Sequence, residues 1–396
     1  MTSHESRQDV GMAFRMTLVR RLTMAVVLVL TGSGLVASRN TGASMNPPPV
    51  PLMVVGVSGT RTVYVVSTSN IFDSKHPAAC GIGCYLLKRT TDGGTRFSYR
   101  DLPRTTYTSD SLTGTLDQLV FANAHDGYAL MGSAVPTRLY VTRDGAGTWT
   151  RKVIASGTTI LAFAATRTEL YAVVANCSRS MACSDLRFAR SSLSGANWTV
   201  SPLPRWPAHM GVGMGAFGST VWLTQQSRKY NVLLLTSHDS GAHFSQAVAP
   251  DLGSVYACHV TATSAASLWA ECPTGMLVSF YYSGNGGVTW NHLPSRQFAG
   301  TGGGYFDPVS SSLAYLIFGL ANASGPRNLY RVTNKGLTMT AVGKLKCASV
   351  NDLVYTDALH GFAACFQHDT WASSVLLRTS DGGITWGRVN SFYNPF

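Results

Sequence analysis

The chain has 396 residues, of which 31 are Lys or Arg and 19 are Asp or Glu, so its formal net charge is +12 at pH 7. Charged residues make up 13% and hydrophobic residues 45%, which excludes a disordered chain, because such chains combine dense charge with few apolar residues. Glu occurs only three times, which excludes a coiled coil. The length allows two or three domains or one large ring of repeats.

The amino-terminal region has the features of an export signal. Arg20 and Arg21 precede an apolar run over residues 22–30, and small residues follow as far as Ser38. This apolar run is shorter than the roughly 20 residues that a membrane-spanning helix needs, so we expect a cleaved signal peptide rather than an anchor. Cleavage after Ser38 fits the pattern, and Ala43 marks a second possible site.

The predicted domain organisation has three parts. Residues 1–38 form the signal peptide, with 1–15 resembling an over-long start, and residues 39–50 form a Pro-rich linker. Residues 51–396 form the folded region. We therefore expect a secreted or extracytoplasmic protein, at a cell surface or in a periplasm-like space, with no transmembrane domain in the mature chain.

One eight-residue pattern, Ser/Thr-x-Asp-x-Gly-x-Thr-Trp, recurs seven times and is complete at residues 379–386. Its Asp position is filled successively by Asp92, Asp144, Leu193, Asp239, Asn285, Asn334 and Asp381, at spacings of 52, 49, 46, 46, 49 and 47 residues. Its last position holds an aromatic residue in most copies, including Trp149, Trp198, Trp290 and Trp386. Seven copies at nearly constant spacing indicate a repeat architecture.

Between these copies the sequence predicts strand, turn and strand, as in residues 119–130 and again in 353–364. A third strand precedes each copy of the pattern and a fourth follows it. Four short strands per repeat, joined by turns rich in Gly and Asp, are typical of propeller blades. We therefore predict an all-β fold: a seven-bladed β-propeller of four-stranded antiparallel blades. We expect the protein to be a monomer.

The eight-residue pattern resembles the Asp-box, or BNR repeat, of sialidases, sortilin-type receptors and photosystem II assembly-factor-like propellers. The phrase that begins at Phe121 and again at Tyr355, with Gly-Tyr/Phe-Ala at its end, is most similar to the assembly-factor-like group. In those families the box is structural and lies on the rim opposite the ligand face. The resemblance therefore implies that none of the seven Asp positions is catalytic.

The eight Cys residues form four close pairs in the sequence: Cys80 and Cys84, Cys177 and Cys183, Cys258 and Cys272, Cys347 and Cys365. Adjacent strands bring such residues within bridging distance, and an exported chain favours disulfides. We expect four local disulfides. A zinc site would need two pairs from different blades to converge, so we predict no metal.

Basic residues are predicted to gather on the rim opposite the Asp-box turns, where propellers usually bind partners. The candidate ligand-binding residues are Arg104, Arg138, Arg187, Arg205, Arg228, Lys229, Arg296, Arg327 and Trp371. Arginine binds carboxylate or phosphate with two parallel hydrogen bonds, which suits an acidic partner. The alternative is that these charges are ordinary solvated loop charges without a partner.

Two classes of function follow. The first is an exported, non-catalytic binding or assembly propeller for an acidic glycan, cell-wall polymer or protein partner. The second is a sialidase-like exo-glycosidase, which would resemble its family in an Arg-Ile-Pro stretch, a Tyr–Glu pair and an Asp acid/base. No Arg-Ile-Pro occurs, and Glu169 and Glu271 are the only Glu after the signal. We expect no cofactor and no nucleic-acid partner.

Overall fold

A computed structural model describes residues 50–69, 84–103, 116–132, 137–178, 182–204, 211–226, 232–249, 258–274, 277–294, 298–299, 305–317, 327–366 and 374–392. Within these ranges the chain forms seven antiparallel sheets and one short 3-10 helix at Asn390–Phe392. Successive strands in each sheet are neighbours in the sequence. The predicted all-β, seven-bladed propeller is confirmed. The signal peptide and most of the predicted linker lie outside the described residues.

The first four blades are built from consecutive segments of the chain. Blade 1 consists of Val50–Gly56, Val63–Ser69, Cys84–Thr90 and Ser98–Arg100. Blade 2 consists of Leu116–Phe121, Gly127–Met131, Arg138–Thr142 and Thr150–Lys152. Blade 3 consists of Thr159–Ala165, Glu169–Cys177, Cys183–Ser192 and Thr199–Pro202. Blade 4 consists of Val212–Phe217, Thr220–Gln226, Val232–Ser237 and Ser245–Ala247.

The last three blades repeat the plan with one addition. Blade 5 consists of His259–Ala262, Leu268–Thr274, Leu277–Ser283 and Asn291–His292, and Phe298–Ala299 also pairs with its third strand. Blade 6 consists of Tyr305–Pro308, Ala314–Ile317, Arg327–Thr333 and Thr338–Leu345. Blade 7 consists of Ser349–Tyr355, Gly361–Phe366, Ser374–Thr379 and Gly387–Arg388.

The blades form a ring with the first strand of each blade innermost. At six of the seven seams the first strands of neighbouring blades contact one another, and these include the first strands of blades 1 and 7. Because each described sheet contains strands from one continuous segment, the ring closes by packing of blade 1 against blade 7 rather than by exchange of a strand. We call this junction the closing seam.

The hydrophobic core is divided among the seams between blades. The described residues form seven buried clusters, and each joins two neighbouring blades. At the closing seam, for example, Val63 and Val65 of blade 1 pack with Phe362 and Leu376 of blade 7. A single blade has little apolar surface to bury alone, so its stability depends on its neighbours.

A buried aromatic residue at one register position of the second strand links each blade to the next. At six seams the side chain donates a hydrogen bond to a turn carbonyl of the following blade. These bonds, which we call aromatic tethers, run from Tyr64 to Ala124 (3.0 Å), Tyr128 to Leu193 (2.9 Å), Tyr171 to Gly218 (2.8 Å), Trp222 to Gly286 (3.0 Å), Trp269 to Ser310 (3.1 Å) and Tyr315 to Ala358 (2.7 Å). All six side chains are at most 1% exposed, so each seam combines apolar burial with a directed hydrogen bond.

The Asp-containing turns connect the third and fourth strands and are held together by their own side chains. In blade 7, Asp381 Oδ1 accepts hydrogen bonds from the Thr379 hydroxyl at 2.7 Å and the Thr385 N–H at 3.0 Å. Blades 1, 2, 4 and 5 form the corresponding Thr or Ser bond to Asp92, Asp144, Asp239 and Asn285. Blade 6 closes its turn through backbone bonds, Gly336 N–H to the Thr333 carbonyl and Leu337 N–H to the Asn334 carbonyl.

The aromatic residues at the ends of these turns have two kinds of partner. Trp149 and Trp290 donate their indole N–H to carbonyls of the preceding blade, those of Asp101 and Val248. By contrast, Trp198 and Trp386 donate to glycine carbonyls of their own turns, those of Gly195 and Gly383.

Three of the four predicted disulfides are present: Cys177–Cys183, Cys258–Cys272 and Cys347–Cys365. The predicted Cys80–Cys84 pair lies outside the described residues. Disulfides of this kind are typical of proteins that fold in an oxidising, extracytoplasmic compartment.

Within the described part of the chain, no helix has both the length and the hydropathy needed to cross a bilayer.

The carboxyl-terminal segment strengthens the closing seam. The buried Lys88 ammonium of blade 1 donates to the Phe392 carbonyl at 2.5 Å and lies 4.7 and 4.8 Å from the ring centres of Tyr99 and Phe392. Ser391 donates to the Gly94 carbonyl at 2.7 Å. The end of the chain is thus bound to its first blade by polar and cation–π contacts.

We expect Tyr315→Phe to lower the free energy of unfolding by about 1 kcal/mol, because it removes one aromatic tether but keeps the buried ring. Urea denaturation monitored by tryptophan fluorescence measures the change. Tyr140→Phe is the control, since Tyr140 is half-buried and contributes no aromatic tether. An equal loss in both variants would contradict a special role for the tether.

Lys88 predicts a specific pH dependence of stability. Burial lowers the pKa of Lys88 to about 8 in the folded chain, below its ordinary value. Over the pH range between the two pKa values, Lys88 keeps its proton in the unfolded chain but has lost it in the folded chain. The free energy of unfolding therefore rises from about pH 8 to about pH 10. We expect the difference in unfolding free energy between the wild type and Lys88→Met to grow across that range. A difference that does not change with pH would contradict this assignment.

Candidate functional site

Most of the residues predicted to form a basic rim lie outside the described residues. This applies to Arg104, Arg205, Arg228, Lys229, Arg296 and Trp371. Their role in binding stays a prediction.

Arg138 and Arg187 occupy the same register position in the third strands of neighbouring blades. Arg138 pairs with Met131, and Arg187 pairs with Val174. In each blade the arginine comes three residues before the third-strand residue that pairs with the tether tyrosine. Both are half-buried, and Arg187 Nε lies 3.2 Å from Asp185 Oδ2. These two predicted residues therefore lie at corresponding points of adjacent blades on the rim opposite the Asp-containing turns.

Arg327 has a different position from the one expected of a ligand-binding residue. It is 7% exposed, and its Nε and Nη2 atoms donate to the Ala348 carbonyl at 3.1 and 2.5 Å. Its guanidinium therefore connects the third strand of blade 6 to the segment that leads into blade 7.

A Tyr–Glu pair is present, but its surroundings are those of an aromatic tether. The Tyr171 hydroxyl donates to Glu169, and the Ser240 hydroxyl donates to the same carboxylate oxygen at 2.7 Å. Burial, followed by the hydrogen bond to Glu169, raises the pKa of Tyr171 well above its ordinary value. Because Tyr171 is fully buried and also bridges to Gly218 of blade 4, this cluster holds blades 3 and 4 together. It lies on the rim that carries the Asp-containing turns, which we call the turn rim.

A groove opens on the turn rim at the closing seam, with a volume of about 220 Å³. Its wall from blade 1 contains Arg61, Asp92, Gly93 and Thr95, and its wall from blade 7 contains Thr356, His360, Phe362, Arg378, Thr379 and Ser380. We call it the seam groove. Its floor is apolar at Phe362, and its rim carries two exposed guanidinium groups.

Hydrogen bonds to Gly93 connect both arginines to the same point of the seam groove. Arg61 is in the first turn of blade 1, and its carbonyl accepts a hydrogen bond from Gly93 N–H at 3.1 Å. Arg378 is in the third strand of blade 7, and its Nη1 donates to the Gly93 carbonyl at 3.1 Å. Since both flank Gly93, one ligand group can reach a guanidinium from each blade.

The acidic group of the seam groove is already occupied. Oδ1 of Asp92 accepts bonds from the Thr90 hydroxyl at 2.8 Å and from the N–H groups of Thr95 and Arg96 at 2.9 and 3.0 Å. Partial burial raises its pKa, but these hydrogen bonds outweigh burial and lower the pKa of Asp92 below its usual range. Asp92 is thus ionised at neutral pH, and two guanidiniums against one carboxylate leave the groove a net charge of +1.

Sequence analysis did not identify the seam groove, although one signal for it was available. The residue aligned with Tyr128 in the last blade is Phe362, which lacks the hydroxyl or indole N–H used at the other seams. The arginines could not be assigned in the same way, because they meet only when blade 7 closes on blade 1.

No protein-family model matches the chain, and no curated protein matches it either. Among solved structures it is similar to YCF48 in a complex described as YCF48 bound to D1 peptide. The two share 18% identity over 71% of this chain and 83% of that chain, with a TM-score of 0.47. An ancestral GH74 enzyme matches with 11% identity over 87% of this chain and 47% of that chain, with a TM-score of 0.56. Virginiamycin B lyase from Staphylococcus aureus matches with 10% identity, coverage of 85% and 96%, and a TM-score of 0.51. At these identities the last two likenesses show a shared fold and no more.

Proposed function

We propose that this chain is an exported, non-catalytic propeller that acts as a binding or assembly module for an acidic partner. The observation that carries the proposal is the seam groove, which is lined by exposed Arg61 of blade 1 and exposed Arg378 of blade 7. The formal net charge of +12 supports the same partner chemistry, since it attracts acidic molecules over the whole surface.

The acidic residues of the same rim leave this charge largely available. Asp126 is paired with Arg143, with Nε and Oδ1 2.9 Å apart. Asp144 and Asp381 accept hydrogen bonds within their own turns, as Asp92 does. Because these carboxylates already have donors, an external acidic group can compete for the exposed guanidiniums.

A sialidase-like exo-glycosidase is the second candidate, and the Tyr171–Glu169 hydrogen bond is the observation that favours it. Three features weigh against it. Tyr171 is fully buried, its hydroxyl also serves as a tether, and Glu271 belongs to blade 5 rather than to the same site. Most glycoside hydrolases need two carboxylic groups about 5 to 10 Å apart across one bond.

Binding of polyglutamate at increasing salt concentration tests the proposed function. We expect the dissociation constant to rise steeply with NaCl, because exposed charges are screened. The double variant Arg61→Glu/Arg378→Glu should weaken binding at least tenfold. Arg167→Glu/Lys335→Glu, which makes the same change in net charge at exposed positions of the turn rim, should have a smaller effect.

Two further measurements separate the alternatives. If Arg138→Glu/Arg187→Glu weakens binding more than the seam variant does, the partner surface is the opposite rim. Absent or salt-independent binding would contradict an acidic partner. Turnover of a fluorogenic sialoside that is lost in Glu169→Gln would favour the glycosidase.

A further inference from the structure

We infer that the seam groove binds a single carboxylate group, which bridges blades 7 and 1 where the aromatic tether is missing. The inference rests on the proposed function only for the source of that carboxylate, an acidic partner. The site itself follows from the comparison of the closing seam with the six other seams.

Phe362 occupies the tether position of blade 7. It pairs with Arg378 on the third strand, just as Tyr315 pairs with Arg331 and Tyr64 with Arg89. It is 2% exposed, so its ring is buried like the others, but it has no hydroxyl or indole N–H. The seam groove therefore lies above the one tether position, among the seven, that has no polar atom.

One carbonyl that a tether uses in another blade is taken by an arginine at the closing seam. Gly93 comes one residue after the Asp position of its turn, and Gly286 has the same place in the turn of blade 5. In blade 5 the Gly286 carbonyl accepts the hydrogen bond of the Trp222 tether. At the closing seam the Gly93 carbonyl accepts from Arg378 Nη1 instead. The closing seam therefore has an exposed cation with further N–H groups to offer and no tether beside it.

The first turn of blade 1 brings a second cation to the same point. This turn is closed by Val57 N–H and the Thr62 carbonyl, and the corresponding turn of blade 2 is closed by Ala122 N–H and the Asp126 carbonyl. The turn of blade 1 is therefore one residue longer. Its exposed Arg61 lines the groove, and no hydrogen bond or ion pair of its guanidinium is formed with the residues that the structure describes.

Size and charge select a carboxylate on a short apolar stem. A volume of about 220 Å³ is below the roughly 300–1,000 Å³ of pockets that enclose drug-sized ligands, but it accommodates one acidic side chain. A planar carboxylate matches the guanidinium fork, its stem can rest on Phe362, and its single charge balances the net +1 of the groove. Ser380, exposed on the same rim, offers a hydroxyl.

Binding should stabilise the ring as well as hold the partner. Arg61 belongs to the first blade and Arg378 to the last, so a carboxylate between them would connect the two ends of the folded chain. A ligand that binds only the closed ring raises its stability in proportion to its occupancy. The seam groove is therefore expected to couple partner binding to ring closure.

The test uses the full chain and three probes at low salt: N-acetylglutamate α-amide, methyl glucuronoside and inorganic phosphate. We expect both carboxylates to raise the thermal unfolding midpoint and to bind with millimolar affinity in calorimetric titration. Stronger binding of the glutamate derivative identifies a protein source, and stronger binding of the glucuronoside identifies a glycan source. Preferential binding of phosphate would overturn the assignment to carboxylate.

Phe362→Tyr is the decisive variant, because its hydroxyl would enter the seam groove as an added tether. It should raise the unfolding midpoint without ligand and weaken carboxylate binding at least tenfold. The control is Phe217→Tyr, at an exposed phenylalanine on the turn rim of blade 4, which should change neither property. Wild-type binding by Phe362→Tyr would overturn the inference.

Arg61→Met keeps the test decisive if Phe362→Tyr does not fold, since Arg61 is exposed. It should abolish the carboxylate-dependent shift in the unfolding midpoint, and an unchanged shift would overturn the inference.

Failure of the inference can be distinguished from failure of the proposed function. If polyglutamate still binds in a salt-dependent way but no small carboxylate does, the function stands and the seam site does not.

Discussion

The structure depends on the hydrogen bond that a buried aromatic side chain of one blade donates to a turn carbonyl of the next. A propeller blade has two faces to cover and cannot cover either by itself, so the seams supply most of the burial. Apolar packing alone would leave the angle between blades poorly defined, whereas a directed bond from a tyrosine or tryptophan specifies it. Six seams use this device, and in each the side chain is almost completely buried.

The carboxylates of the repeated acidic turns hold those turns together. A carboxylate such as Asp381 accepts the hydroxyl and N–H groups of its own turn, which leaves it little capacity to act on a ligand. Repetition of this kind makes the seven blades alike, and a binding site in such a ring arises where the repetition is broken. The closing seam breaks it twice, at Phe362 and in the longer turn that carries Arg61.

The closing seam is also the junction at which, within the described residues, the first blade meets the last without a strand passing from one to the other. Lys88, Ser391 and Phe392 compensate with contacts between the carboxyl-terminal segment and blade 1. Side chains rather than a shared strand therefore hold the ring closed. This arrangement makes the seam the place where an added contact, whether from the protein or from a ligand, has the largest effect on the whole ring.

The amino-acid sequence by itself determined the fold class, the number of blades and three of the disulfides, because these depend on local periodicity: an eight-residue turn pattern, alternating strands and cysteines one hairpin apart. It also showed that the last blade has Phe362 where other blades have tyrosine. No local pattern, however, shows that this difference leaves a groove between two blades. Only the tertiary structure decided that Arg327 is buried between blades, that Tyr171 and Glu169 serve a tether, and that Arg61 and Arg378 face one groove. The last pair is separated by almost the whole chain, and no pattern along a sequence can report a contact that exists only once the seventh blade has packed against the first.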